Sequence, residues 1–271
     1  LKRAHKPHDK RLPSRDGARR SSSEVEGARD TAVERIHGHR ACIAVLAKRP
    51  DDVIRVACVR ELVSEVELTL GKHAGDVSIG VLPEREIERL AHTIQHEGLV
   101  LEARARRWAT THELAELLTK SKGVAIALDR VRNSYNIGAV LRSAAFFGAD
   151  AVLLGAPAPH PGLDPNAVRV AEGGAEHLVT ARTTDLADTL MRLRSSGVKV
   201  FGADGHADAD ALHIDYERPA ILVMGNEREG LGPRVRAQCD AIVAIHGSGR
   251  VESLNVGVAA GVLLAQLTAR R

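Results

Sequence analysis

The run Ala220-Ile221-Leu222-Val223-Met224 passes directly into Gly225-Asn226-Glu227-Arg228-Glu229-Gly230-Leu231. Five apolar residues make a strand-length segment, and the glycines and charged side chains that follow end it in a tight polar loop. The same form recurs downstream, where the apolar run 241–245 leads into Gly249-Arg250-Val251-Glu252-Ser253-Leu254-Asn255-Val256. It also occurs upstream, where 124–128 precedes Asn136-Ile137-Gly138-Ala139-Val140-Leu141-Arg142. Open α/β sheets build ligand sites from such loops at the carboxyl ends of their strands. The loops after 220–224 and 241–245 are expected at the ends of two neighbouring strands, and all three loops are expected to form one site.

Working outward, strands are predicted near Val124, Ala151, Val198, Ala220 and Ala241, with helices over 186–194 and 233–238 between them. This alternation predicts a doubly wound, largely parallel sheet covered on both faces, over 124–271. Residues 33–105 read as a small α/β domain. A helix over 41–48 stops before Pro50, and the β-branched run 53–59 follows. Pro83 opens a second helix with Ile87, Leu90, Ala91 and Ile94, which Gly98 ends before the strand 99–101. Residues 106–123 form a link in which Thr110 and Glu113 have capping-box spacing ahead of Leu114, Leu117 and Leu118. Residues 1–32, with nine Lys and Arg among Ser, Pro and Gly, read as a disordered basic tail. Leu1 stands where a start methionine would, which points to an N-terminally truncated chain.

The 271 residues are 44% hydrophobic, enough for two cores, and no run reaches the ~18 apolar residues of a membrane span. Cys42, Cys58 and Cys239 are odd in number, widely spaced and set among apolar residues, so they are expected as free thiols in a reducing cytoplasm. The net charge of +3 does not by itself establish a nucleic-acid partner. Thirty arginines against eight lysines favour bidentate phosphate contacts, although GC-rich coding would enrich arginine equally. Aromatic residues are only 2% of the chain, so base stacking cannot dominate any RNA contact. Neither a dinucleotide-binding fingerprint after a strand nor a phosphate-binding P-loop is present, which removes support for NAD use and nucleotide hydrolysis.

The three loop segments, in this order, resemble the SpoU (TrmH) branch of the SPOUT RNA methyltransferases. That family carries N-x-G-A-x-x-R, then G-x-E-x-x-G-L, then S-L-N-V near the C-terminus. The likeness covers roughly residues 120–271 and, more weakly, 34–105, where the opening Ile36-His37-Gly38 is similar to a ribosomal-protein-like RNA-binding module. Tyr135 and His246-Gly247 depart from the family's commoner residues. The resemblance implies a trefoil-knotted sheet, a homodimer, and transfer of a methyl group from S-adenosyl-L-methionine to a ribose 2′-hydroxyl of ribosomal or transfer RNA. It further implies a catalytic set of Asn136, Arg142, Glu227, Ser253 and Asn255. Backbone around Ala203, Met224, Gly225, Ile245 and Leu254 would line the cofactor cleft.

Blander readings stand beside these. On a helix from Asn136 to residue 147 the stripe Ile137, Val140, Leu141, Ala144 and Ala145 would face the sheet and turn Arg142 outward, with Asn136 a simple N-cap. Glu227 could orient Arg142, or merely pair with Arg228 or Arg234, and Ser253 could cap the last helix. His92 and His96, spaced i, i+4 on a predicted helix, read as surface histidines, whereas His37 and His39 are candidates for phosphate contact. A base methyltransferase of the same fold and a non-catalytic RNA-binding or assembly factor are the alternative functions.

Overall fold

The computed structural model describes residues 33–155 and 163–269, so the expected basic tail lies outside the described residues. The elements run β1 (Val33–His37), α1 (His39–Lys48), β2 (Val53–Cys58), α2 (Val63–Leu70), β3 (Ser78–Val81), α3 (Glu84–Ala91), β4 (Leu99–Arg104) and α4 (Thr111–Ser121). They continue with β5 (Val124–Leu128), α5 (Ser134–Phe146), β6 (Ala151–Leu154), α6 (Pro165–Val170), β7 (Val179–Arg182), α7 (Leu186–Ser195) and β8 (Lys199–Ala203). The last are β9 (Ala209–Asp210), β10 (Ala220–Met224), α8 (Pro233–Arg236), β11 (Ala241–Ala244) and α9 (Val256–Thr268). No helix among the described residues is long and apolar enough to cross a membrane.

β1 to β4 make a mixed four-stranded sheet in the order β1-β4-β2-β3, and the other seven strands make a second sheet in the order β7-β6-β5-β10-β8-β11-β9. Every pairing in the larger sheet is parallel. Its central strands are buried on both faces because side chains alternate across the pleat. From β5, Val124, Ile126 and Leu128 enter one apolar cluster with α5, α6 and α9, while Ala125 and Ala127 enter the opposite cluster with α4, α7 and α8. The α/β architecture is the expected one, but β10 and β11 are not neighbours: β8 lies between them. The strand order departs in both directions from the β5–β10 pair, so the switch point falls where Leu128 and Met224 stand in register.

In the small sheet the helix opened by Pro83 is shorter than its apolar spacing predicts. His92 takes a left-handed φ of 55° and ends α3 at Ala91, leaving Ile94 outside it and 78% exposed. His96 therefore shares no helix with His92 and is buried, not a surface residue; its Nδ1 accepts from Gly98 N at 3.0 Å. The expected capping box is present: Thr110 Oγ1 accepts from Glu113 N at 3.2 Å and the Glu113 carboxylate accepts from Thr110 N at 2.9 Å. Cys42 and Cys58 are fully buried free thiols, and Cys239 is half-buried.

A buried ion network joins the two sheets. Arg106 donates to Glu34 of β1 at 3.0 Å and to Glu176, just before β7, at 3.0 Å, and Arg49 also reaches Glu176 at 2.8 Å and Glu34 at 3.1 Å. Burial alone would raise the Glu34 pKa, but Arg106 and then Arg49 outweigh it and hold the carboxyl below its ordinary value. A depressed carboxylate stabilises the fold above its unfolded pKa and loses that contribution as pH falls through the folded value. Glu34→Gln is therefore expected to cost about 1–2 kcal/mol at pH 7. It should also flatten the loss of stability below about pH 4.5. Urea titrations at pH 7 and at pH 3.5 check both; equal losses at the two pH values would refute the assignment.

Candidate active site

Asn133, not Asn136, caps α5: its side chain accepts from Tyr135 N at 2.9 Å and from Asn136 N at 3.3 Å. Asn136 is thus released from the capping role, and its amide turns toward the other two loops. Its Nδ2 donates to Glu227 Oε1 in the loop after β10, and its Oδ1 accepts from Asn255 Nδ2 at 2.9 Å. Asn255, not Ser253, caps α9, accepting from Gly257 N at 2.8 Å. Donors therefore run in one direction, from the first turn of α9 through Asn255 and Asn136 to the Glu227 carboxylate. Residues up to 119 positions apart form this chain, so the three sequence segments do meet at one place.

Glu227 pairs with neither Arg228 nor Arg234. Arg234 binds Asp185 at 2.9 Å, and Glu229 binds Arg130. Arg142 lies about 1.7 turns along α5 from Asn136, 57% exposed, with its Nη1 3.6 Å from Glu172 Oε1. The expected apolar stripe does turn it outward, but its carboxylate partner is Glu172, not Glu227. Ser253 is exposed in the loop before α9 and outside the hydrogen-bonded set. Beside the chain, α5 and α9 leave an open groove of about 590 Å³ whose wall includes Ala139, Arg142, Ser143, Asn255 and Val258.

Four of the residues assigned to a cofactor, Ala203, Met224, Gly225 and Ile245, lie at or next to adjoining strand ends. Ala203 closes β8 and stands in register with Met224 of β10 on one side and Val243 of β11 on the other. The Met224 side chain is in the core, so only its backbone can face a ligand. Gly225 follows it, half-buried Ile245 lies one residue beyond β11, and Leu254 is half exposed in the loop before α9. Backbone groups at three strand ends and the partly exposed Ile245 side chain suit a purine nucleoside.

Several residues that hold these loops have weak sequence signals. Asp129 Oδ2 accepts from Gly232 N at 2.7 Å, Arg130 Nη2 donates to Gly230 O at 3.1 Å, and Asn226 Nδ2 donates to Arg130 O at 3.1 Å. Asn133 could have been found by the N-cap rule, three residues ahead of Asn136 and just before the apolar stripe. Glu172, thirty positions after Arg142, carries no such signal. In the small sheet His37 is buried, with burial and then Arg169 lowering its pKa, and His39 binds Glu65 at 2.9 Å. Burial withdraws His37 from the phosphate contact for which it was a candidate.

Residues 123–265, more than half of the chain, match the model of the SpoU rRNA Methylase family. The chain belongs to that family. Among SpoU relatives, a 23S rRNA (guanosine-2′-O-)-methyltransferase from Shewanella oneidensis is 32% identical over 87% of this chain and 97% of its own length. A tRNA/rRNA methyltransferase of uncharacterised role from Mycolicibacterium vanbaalenii is 34% identical over 73% of this chain, and the match spans 64% of that longer protein. A crystal structure of an rRNA methyltransferase from Sinorhizobium meliloti with AdoMet bound superposes with a TM-score of 0.72, covering 87% of this chain and 86% of the other. At 23% identity that superposition establishes the SpoU fold, small sheet included.

Proposed function

We propose that this chain transfers the methyl group of S-adenosyl-L-methionine to a ribose 2′-hydroxyl of RNA, with a guanosine of ribosomal RNA ahead of transfer RNA as substrate, and that it works as a homodimer. The observation that carries the reading is the hydrogen-bonded chain from Asn255 through Asn136 to Glu227, set at the switch point of a SpoU fold. The cofactor supplies an electrophilic sulfonium methyl, and the backbone around Ala203, Met224, Gly225, Ile245 and Leu254 would hold it. The ribosomal preference follows the Shewanella relative, whose match extends over 87% of this chain and so takes in the small-sheet region.

Asn136 and Asn255 orient polar groups of the bound reactants, and Glu227, an acceptor at the strand end, accepts a hydrogen bond from a hydroxyl of the substrate. Ser253, beside them in sequence, adds a short donor and acceptor. Most of the rate in such a displacement comes from holding oxygen and carbon at near-attack distance, a task for fixed amides and a capped helix. Arg142 brings a planar guanidinium fork to the phosphate next to the target ribose. The same arginine is the family's proposed base, although a guanidinium keeps its proton in proteins. The clamp role accords with that chemistry. Arg132, Arg228 and Arg250 are exposed in the loops around the site and form no ion pair among the described residues, so they can add phosphate contacts. Phe146 at 82% exposure and Val258 at 54%, on the helices that border the groove, suit burial against a second copy.

Purified protein incubated with tritiated-methyl adenosylmethionine and RNA from a strain lacking the gene should place label in an alkali-resistant dinucleotide. Label released in single nucleotides would make the enzyme a base methyltransferase. RNA binding without any label would leave a non-catalytic factor.

A further inference from the structure

The turn between α6 and the strand β7 is wedged between the two sheets' helices. A Cβ on Gly173 (φ +86°) would stand 2.9 Å from the Ala44 Cβ of α1, and one on Gly174 would stand 3.0 Å from Leu141 O and 3.1 Å from Arg142 Cα of α5. At the head of this turn Glu172 has φ 50°, a left-handed conformation unusual for a residue with a side chain. Its carboxylate is divided: Oε2 lies 3.1 Å from Arg40 Nη1 of α1, and Oε1 lies 3.6 Å from Arg142 Nη1 of α5.

We propose that Glu172 is a positioning residue for Arg142, holding the RNA-facing guanidinium with one oxygen and anchoring it, through Arg40 on the other, to the small-sheet domain. The inference rests on the role given to Arg142 in the proposed function. An arginine side chain loses much rotamer freedom when it clamps a phosphate, and a carboxylate that selects one orientation beforehand removes part of that cost. One Nη is engaged while the remaining donors stay free for the substrate. Because Glu172 is held by α1 as well as by its own turn, the direction of Arg142 is tied to the docked position of the small sheet. An exposed pair of this kind adds little to stability, so its effect belongs to turnover.

The full chain is assayed with adenosylmethionine and the RNA described above, as wild type, Glu172→Gln, Glu172→Gly, Arg40→Ala and the Arg40→Ala/Glu172→Gln double variant. Both Glu172 variants are expected to lower kcat about tenfold, the scale of one lost orienting interaction, with adenosylmethionine Kd unchanged by calorimetry. Glycine is at ease with a left-handed φ, so Glu172→Gly should keep or raise Tm while losing turnover, an outcome a purely structural role does not produce. Arg40→Ala should lower kcat less, and the double variant should be no worse than Glu172→Gln alone, since both act through one carboxylate. Wild-type kcat in both Glu172 variants, or losses that follow Tm, would overturn the positioning role. Absence of transfer by the wild type would instead overturn the function reading beneath it.

Discussion

Arg142→Ala is expected to reduce methyl transfer about 10²- to 10³-fold, the usual loss when a charged group that stabilises the transition state is removed. The affinity for adenosylmethionine should stay at the wild-type value, because Arg142 projects from α5 and not from the strand-end loops of β8, β10 and β11. Thermal stability should change little, since the side chain is 57% exposed and its single ion pair among the described residues is 3.6 Å long. Arg142→Lys separates the roles further. Lysine keeps the charge and loses the planar fork, so a specific arginine clamp predicts a loss of about tenfold or more. Activity close to wild type in the lysine variant would rule out both a bidentate clamp and a specific arginine base. Single-turnover assays with saturating cofactor, together with RNA binding measured separately, distinguish failed chemistry from failed capture.

Gly225→Ala should lower adenosylmethionine affinity about 100-fold or more, for a backbone reason. The added Cβ would stand 2.3 Å from the Gly230 carbonyl carbon, 2.6 Å from its oxygen and 2.6 Å from Leu231 N. None of these atoms can swing aside as the end of a side chain would. The loop is closed by Asn226 N to Gly230 O at 3.2 Å and Gly230 N to Asn226 O at 2.9 Å, with Gly230 at φ 63°. Room for the methyl requires opening that closure. The Arg130 and Asn226 hydrogen bonds would go with it, and Glu227 would move away from Asn136. Overpacking of this kind costs about 1–3 kcal/mol in stability as well. Gly247→Ala is the control: a Cβ there has no neighbour within 4 Å, so affinity and Tm should be near wild type. Equal binding by the two variants, measured by calorimetry, would show that the tight turn does not shape the cofactor cleft.

Much of the architecture is legible along the chain because burial is a local property. Apolar runs at 124–128 and 220–224 become central strands, Thr110 and Glu113 make their capping box, and the stripe from Ile137 to Ala144 docks α5 as its spacing requires. Local rules fail where two residues compete for one task. Asn136 reads as a helix cap only until Asn133, three residues earlier, takes that place, and Ser253 loses the cap of α9 to Asn255. The short edge strands β7 and β9 and the early end of α3 at His92 escape for a related reason. A four-residue or two-residue strand and a single left-handed residue leave almost no periodic signal.

The sequence by itself determined the fold class, the family motifs and the set of polar residues from which a site could be built. The tertiary structure decided which of them meet. Strand order is set by packing between segments far apart in the chain, so only the folded sheet places β8 between β10 and β11 and brings β10 against β5. That adjacency joins Asn136 to Glu227, 91 positions away, and the return of α9 onto α5 joins it to Asn255. Arg142 and Glu172 meet for the same reason: their contact depends on a turn held between helices of two sheets, and no spacing in the sequence encodes it.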